Sequence, residues 1–224
     1  MKKVVLASIL FMTLFIFTGC GASVTSQTKF QQDGSGTRTI SAVISAKDAK
    51  NLDGGFYELD LLLEEAAPEG VSIGRTMLEN GDAKYQFSFH FNNIDEYNEI
   101  ISKITGKQHN ATWYNNSSVF LSDIEFSERE CTYDLISWAL DAFKNSKYSK
   151  FSSYFNLYEV TKNEVYYNDQ IVFTGSTNPS FSVQTSPTVK RASMYSDYSY
   201  DGSWVKKLVI EFNEGALEAI NLED

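Results

Sequence analysis

The chain has 224 residues, of which 42% are hydrophobic and 14% aromatic, and this content excludes a disordered or low-complexity protein. Its formal charge is -10, from 29 acidic and 19 basic residues. The positive potential that drives nucleic-acid binding is therefore missing, and no DNA or RNA partner is expected. Two cysteines are too few for a disulfide scaffold.

The first nineteen residues have the pattern of a bacterial signal peptide. Residues 1–3 are a short basic start, and residues 4–18 are uncharged and mostly apolar. This stretch is shorter than the ~20 apolar residues that a membrane-spanning helix needs. Residues 17–20, Phe-Thr-Gly-Cys, resemble the lipobox of bacterial lipoproteins, with Phe17 where Leu, Val or Ile is usual. We therefore predict cleavage before a lipidated Cys20; the alternative is an uncleaved anchor with an incidental cysteine.

Lipidation of Cys20 makes the lipid bilayer the first predicted partner. Each buried methylene of an acyl chain contributes about 0.8 kcal/mol, so two chains hold a protein stably at a membrane. Removal of residues 1–19 leaves 17 basic against 29 acidic residues, a charge of -12, which anionic headgroups repel. We predict a lipidated tether over residues 20–27 and one extracytoplasmic α+β domain over residues 28–224.

The chain after the tether begins with a strand pattern and a helix pattern. Residues 28–30 and 37–45 flank a glycine-rich turn and predict a hairpin. Leucines at helical spacing predict a helix over residues 56–67, which Pro68-Glu69-Gly70 ends.

Residues 71–79 and 83–91, joined by Asn80-Gly81, give the strongest hairpin signal in the chain. Alternate positions of the second strand predict a continuous aromatic face, formed by Tyr85, Phe87, Phe89 and Phe91. Asn93 is expected to cap an amphipathic helix over residues 94–104 that ends at Gly106.

Two short strands and a third helix are expected next. Residues 113–114 and 119–126 are the predicted strands, with Asn115-Asn116 as the turn between them. Ser127 and Glu130 have the spacing of a capping box and predict a helix that continues to Asn145. Cys131 lies at the start of this helix, where we favour a buried small side chain over a reactive thiol.

Helical spacing fades after residue 150, and short strand patterns follow one another. They cover residues 154–160, 164–167, 170–174, 181–185 and 204–212. This succession predicts an antiparallel β-meander in the C-terminal half. The expected fold class is α+β, an antiparallel sheet with about three amphipathic helices packed on it.

The histidines and the known motifs predict no catalytic residue, metal ligand or cofactor. His90 falls on the polar face of the aromatic strand and His109 in a polar loop, and both are expected to be ordinary surface residues. The sequence has no H-x-x-x-H, C-x-x-C, G-x-S-x-G or phosphate-binding loop pattern.

The acidic clusters are also expected to be ordinary surface features. Glu64-Glu65 and the pair Glu128 and Glu130 are predicted on solvated helix faces. Residues 197–203 have the oxygen spacing of a calcium loop, but Leu208 stands where the bidentate Glu is required. A polar β-turn is the favoured interpretation of that segment.

An aromatic cluster near the C-terminus is the candidate ligand-binding site. Four rings lie within ten residues: Tyr195, Tyr198, Tyr200 and Trp204. Exposed Tyr and Trp rings stack on sugars or make protein contacts, whereas in a meander such rings more often fill the core. Burial of all four would contradict a binding face.

Residues 20 to about 125 resemble bacterial LppM-type lipoproteins. The resemblance rests on Cys20, Phe30, Asp33-Gly34-Ser35-Gly36, Thr37 and Ile40, and on the order of the helices and hairpin that follow. It implies an α+β domain at the outer, membrane-facing surface, with lipid or glycolipid handling as one suggested role, and it supplies no catalytic residues. That family often continues into a C-terminal transmembrane helix, which this sequence lacks, so Cys20 is expected to be the only anchor.

Three functions fit these patterns. The favoured one is a non-catalytic binding or interaction lipoprotein that recognises an envelope lipid, glycolipid or glycan. The second is a lipid carrier with an apolar cavity of ~300 Å³ or more beneath the aromatic strand. The third is a cell-wall hydrolase with two carboxylates ~5 to 9.5 Å apart, a distance that sequence alone cannot give.

Overall fold

The computed structural model describes residues 24–118, 121–149, 160–185 and 189–212. Four helices lie within these ranges: α1 (Ala46–Ala49), α2 (Phe56–Ala66), α3 (Ile94–Thr105) and α4 (Thr132–Lys144). The first six strands are β1 (Val24–Phe30), β2 (Gly36–Ile44), β3 (Ser72–Met77), β4 (Ala83–Phe91), β5 (Thr112–Ser118) and β6 (Leu121–Ser127). The others are β7 (Val160–Tyr167), β8 (Gln170–Gly175), β9 (Ser180–Thr185), β10 (Val189–Tyr198) and β11 (Trp204–Phe212).

The strands form three sheets. A six-stranded sheet has the order β3-β4-β2-β1-β7-β8, a three-stranded sheet the order β5-β6-β9, and β10 pairs with β11. β1 and β7 run parallel, and the other described strand pairs are antiparallel. The predicted α+β class is confirmed, with three longer helices and a β-rich C-terminal half. The C-terminal strands are distributed among all three sheets, and predicted strand residues 154–159 lie outside the described residues.

β1 begins earlier than the predicted tether allows. It starts at Val24 and pairs with β2 along its whole length. Val24 and Ser26 are buried, so residues 24–27 belong to the sheet, and the prediction of a tether over residues 20–27 is wrong for its second half. Small polar residues fit this central strand because every second side chain faces the core. Their backbone groups form hydrogen bonds with the strands on either side, β2 and β7.

α3 forms where its sequence signals predicted it. The side chain of Asn93 accepts a hydrogen bond from the Glu96 backbone N–H, and Glu96 accepts one in return from the Asn92 backbone N–H. Gly106 closes the helix in the left-handed conformation with φ 66°, which glycine adopts without steric cost. The cap prediction is therefore confirmed at both ends.

Two local predictions between residues 113 and 131 are wrong. Asn115 and Asn116 lie inside β5 and pair with Ile124 and Asp123, so they do not form the predicted turn. Ser127 ends β6 and does not cap a helix. α4 begins at Thr132 after Cys131, whose own side chain makes no capping hydrogen bond. The Ser-x-x-Glu spacing is short enough to occur by chance, and strand pairing of Ser127 with Ser180 takes precedence.

The core lies where the six-stranded sheet, the helices and the three-stranded sheet meet. The aromatic face of β4 is confirmed, because Tyr85, Phe87, Phe89 and Phe91 are all buried. Phe30 of β1 is at the centre, with the rings of Phe91, Tyr97, Trp113, Phe126 and Phe181 within 4.7 to 6.3 Å of its own. Burial of large apolar side chains is the main stabilising contribution to such a fold.

Gly36 stands where two strands approach unusually closely. A Cβ atom at this position would lie 2.1 Å from the carbonyl oxygen of Lys29 and 2.7 Å from Cζ of Phe91. Because that carbonyl belongs to the sheet backbone, we expect Gly36→Ala to lower the free energy of unfolding by about 1–3 kcal/mol in urea denaturation.

Gly74 of β3 is the matched control, since a Cβ there would meet no atom within 4 Å. Gly74→Ala is expected to stay within about 0.5 kcal/mol of the wild type. Equal effects of the two substitutions would show that the close approach at Gly36 is not what requires glycine.

Candidate functional site

A buried ion pair lies within the core. Arg38 and Glu128 have no exposed side-chain surface, and Arg38 Nη1 lies 2.6 Å from Glu128 Oε1. Arg38 is on the inward face of β2, in register with Phe89 of β4. Glu128 follows β6, where its backbone N–H donates to the Pro179 carbonyl. Buried charges are tolerated only when they are paired and hydrogen-bonded. The hydrogen bonds around this ion pair therefore determine how much it contributes to the stability of the fold.

The carboxylate of Glu128 accepts several hydrogen bonds at one oxygen. Tyr97 OH donates to Oε1 at 2.7 Å and Cys131 Sγ at 3.3 Å, while His109 Nε2 lies 3.0 Å away. Arg38 Nη1 also donates to Tyr97 OH at 2.5 Å. Among the described residues, Arg38 Nε and Glu128 Oε2 have no partner.

A second set of contacts extends the network to β7. Arg38 Nη2 donates to Thr132 Oγ1 at 3.1 Å, and that hydroxyl donates to Asn163 Oδ1 at 3.2 Å. The Asn163 amide donates to Glu130 Oε2, and Glu130 Oε1 accepts from the Thr132 backbone N–H at 2.6 Å. The buried polar network therefore joins β2, α3, the start of α4 and β7.

The protonation states of the network follow from burial and from the Arg38 charge. Burial alone raises the pKa of a carboxyl group, but Arg38, His109 and Tyr97 together lower the pKa of Glu128 to about 2. Burial raises the pKa of Cys131 well above its usual range, despite the opposing charge of Arg38. The thiol is therefore protonated at neutral pH, a state in which it is a poor nucleophile.

His109, Glu128 and Cys131 are the side chains of this network that could hold a metal ion. Their ligand atoms all lie within 4.8 Å of one another. However, the guanidinium of Arg38 already occupies Glu128 Oε1 at 2.6 Å. A cation at this position would meet a buried positive charge at short range, which disfavours it. The arrangement fits a structural polar network best.

Two surface predictions are wrong for this region, and one core prediction is confirmed. His109 is only 9% exposed at its side chain and contacts Glu128, so it is not an ordinary surface residue. Glu128 is buried and Glu130 is half-buried in the network, so neither is on a solvated helix face. Cys131 is buried, as predicted.

Arg38 was the residue that sequence reasoning missed, although a signal for it exists. Ile40, Ala42 and Ile44 share the inward face of β2, and the same alternation continued backwards reaches Arg38. An arginine at a core-facing position requires an acidic partner. The identity of that partner, ninety positions away in the sequence, has no local signal.

The depressed pKa of Glu128 predicts a specific loss of stability in acid. A carboxyl whose pKa falls from 4.5 to about 2 on folding contributes about 3 kcal/mol at neutral pH. This contribution is complete above about pH 4.5 and disappears as the pH falls to 2. In urea unfolding, the stability difference between the wild type and Glu128→Gln should therefore narrow across that interval, and a difference independent of pH would contradict the assignment.

The four predicted ligand-binding rings are exposed. They belong to β10, β11 and the turn between them, residues 189–212, which we call the aromatic hairpin. Tyr198 is 78% exposed and Trp204 54%, Tyr195 is about half exposed and Tyr200 fully exposed. The predicted polar turn also forms, with Ser203 donating twice to Asp201 Oδ1 and Gly202 at φ 85°. The condition for a binding face, rings accessible to solvent, is met.

Rings of the β4 aromatic face pack against other protein side chains, which does not favour the lipid-carrier hypothesis. Phe87 contacts Trp138 and Phe89 contacts Tyr97, at ring distances of 5.4 and 6.1 Å. A shallow groove of about 400 Å³ lies elsewhere, on the outer face of the three-stranded sheet. Its lining combines serine and threonine hydroxyls with Tyr114, Glu125, Phe126 and Phe181.

Comparison with known proteins gives no relative from which a role could be transferred. No family model, no curated protein and no solved structure matches this chain. Within the described residues, no helix is long and apolar enough to span a bilayer.

Proposed function

We propose that this chain is a membrane-anchored, extracytoplasmic lipoprotein of the non-catalytic binding class. Acylated Cys20 holds it to the cell membrane, and the aromatic hairpin recognises an envelope lipid, glycolipid or glycan. The observation that carries the proposal is the exposure of Tyr198, Tyr200 and Trp204 at one end of the aromatic hairpin, where Tyr198 pairs with Trp204. Tyr195 is also exposed, but its side chain is on the opposite face of the hairpin. Contiguous exposed aromatic surface of this kind is typical of interaction sites.

The sequence before β1 supports the location. Residues 1–20 combine a basic start, an apolar stretch and a lipobox-like end. β1 begins at Val24, four residues after Cys20, and four extended residues span at most about 14 Å. A lipid on Cys20 would therefore hold the start of β1 close to the bilayer surface. The resemblance to LppM-type lipoproteins supports the same location.

The two alternative functions receive less support. A lipid carrier needs space beneath the aromatic strand, which protein side chains occupy. A hydrolase needs an accessible acid pair, but the carboxylate with the largest described pKa shift, Glu128, is fully buried and bound by Arg38. The binding class therefore agrees best with the described residues.

Membrane fractionation of the expressing cells tests the anchor. We expect the wild type to sediment with membranes and to resist extraction at high salt, because acyl chains and not charges attach it. Cys20→Ser should lose this salt-resistant attachment in its processed form. Cys131→Ser is the matched control, since it removes the other cysteine, which is buried, and should remain in the membrane fraction. Equal distribution of all three proteins would contradict the proposal.

A further inference from the structure

The aromatic hairpin is amphipathic, with its two faces separated by the strand register. Met194 pairs with Leu208 and Tyr198 with Trp204. These residues are four positions apart on each strand, so all four side chains are on the same face. They are 54% to 78% exposed, which leaves an apolar face turned to solvent.

The opposite face of the hairpin has a different composition. It carries four charged side chains, Arg191, Asp197, Lys207 and Glu211. The apolar face has one, Lys206, whose Nζ lies 5.0 Å from the centre of the Trp204 ring. An ammonium on an aromatic ring beside exposed Leu and Met is suited to the boundary between headgroups and acyl chains, where Trp, Tyr and Lys are enriched.

The charge of the hairpin also differs from that of the rest of the chain. Lys190, Arg191, Lys206 and Lys207 outnumber Asp197, Asp201 and Glu211, for a net charge of +1 within a chain of -10. An anionic surface therefore attracts the hairpin weakly, whereas it repels the acidic chain as a whole. A glycan would need no Met and Leu in the contact, whereas an anionic bilayer uses these apolar side chains together with Lys206 beside them.

An isolated two-stranded ribbon is at best marginally stable in water. Every residue of β10 is exposed except Ser193, which is half-buried. On the apolar face, Met194, Tyr198, Trp204 and Leu208 are exposed, whereas Ile210 is half-buried. Such a ribbon gains stability from a surface that covers its apolar face. The short span from Cys20 to β1 keeps the bilayer near the domain.

We infer that the aromatic hairpin docks on an anionic lipid bilayer, with Met194, Tyr198, Trp204 and Leu208 in the interfacial region and Lys206 at the phosphates. This inference rests on the proposed function and names the partner of its binding surface. The hairpin then acts as a second, non-covalent membrane contact that orients the domain which Cys20 tethers.

A vesicle flotation assay tests the inference without the lipid anchor. The protein is residues 21–224, which lacks Cys20 but retains every described residue. We expect it to float with vesicles of phosphatidylglycerol and phosphatidylcholine in equal parts, and several-fold less with phosphatidylcholine alone. The double variant Trp204→Ser/Leu208→Ser should lose about tenfold in partitioning.

The matched control alters the opposite face, where Tyr195 and Val205 are exposed to a similar extent. Tyr195→Ser/Val205→Ser should keep partitioning within about threefold of the wild type, because its side chains face away from the bilayer. Circular dichroism confirms that both variants are folded. Equal losses in the two variants, or no flotation of the wild type, would overturn the inference.

Fluorescence provides a second readout, which reports whether the Trp204 ring reaches the acyl chains and does not measure affinity. Lipids brominated on their acyl chains should quench part of the wild-type tryptophan emission, and Trp204→Phe should abolish that part. Quenching unchanged in Trp204→Phe would contradict insertion of this ring. A wild-type dimer that Leu208→Ser dissociates, without vesicle binding, would show that a second copy covers the face instead.

Lipidation of Cys20 and docking of the aromatic hairpin on a bilayer can be disproved independently of each other. Absence of flotation leaves lipidation of Cys20 untouched, because the assayed protein carries no lipid. Absence of lipid on Cys20 in turn leaves the vesicle result untouched.

Discussion

Replacement of Arg38 by Met should lower the free energy of unfolding by about 3–5 kcal/mol. The substitution leaves Glu128 buried with no cation, although Tyr97 still donates to its carboxylate. A domain of ordinary stability has only about 5–15 kcal/mol in total, so the variant should unfold at much lower urea concentrations. Equilibrium urea denaturation followed by circular dichroism measures the change.

Arg75 provides the control for this prediction. It pairs with Asp60, but both side chains are partly exposed, at 33% and 24%. Arg75→Met should therefore cost no more than about 1 kcal/mol. The combination Arg38→Met/Glu128→Gln should lose less than the sum of the two single variants, because the uncompensated charge is removed. Strict additivity would contradict the description of these residues as a coupled pair.

Phe30→Ala should have an effect of similar size, about 3–5 kcal/mol. Phe30 is 1% exposed, and its ring contacts side chains from both the six-stranded and the three-stranded sheets. The nearest rings are Trp113 of β5 and Phe126 of β6, both at 4.7 Å. Truncation would leave a cavity between the sheets that neither sheet alone can close.

Tyr57 is the control for the loss of an aromatic ring as such. It is on α2 and is 67% exposed, so Tyr57→Ala should change stability by no more than about 0.5 kcal/mol. Urea denaturation of both variants under the same conditions measures the two losses in the free energy of unfolding. A loss below about 1 kcal/mol for Phe30→Ala would show that this ring does not hold the two sheets together.

Local sequence signals predicted those elements whose determinants lie within a few residues. Asn93, Glu96 and Gly106 fix both ends of α3 through contacts at most four positions apart. The alternating rings of β4 likewise define its inward face. Such elements are specified by periodicity and capping, which a single sequence displays directly.

Long-range pairings had no comparable signal. β1 lies beside β7, so Val24 is the neighbour of Val160, and nothing in either segment identifies the other. The buried network depends on the same kind of contact, because Arg38 and Glu128 are ninety positions apart in the sequence. A Glu-x-Glu pattern after a strand is equally compatible with a solvated surface, which explains the error at Glu128 and Glu130.

The sequence pattern of the aromatic hairpin also could not show whether its side chains are exposed or buried. Alternating Tyr, Ser and Asp residues are compatible with a core strand or with a free ribbon. The register of β10 with β11 separates the apolar face from the charged one, and only the fold shows that no described element covers the former.

Mass spectrometry of the N-terminal peptide from membrane-purified protein shows whether Cys20 carries a lipid. We expect a peptide that begins at Cys20 and carries the mass of a diacylglycerol group, and the same modified peptide in Cys131→Ser. Cys20→Ala should yield no acylated peptide. A protein that retains residues 1–19, or one that begins after them without lipid, would contradict the lipoprotein account.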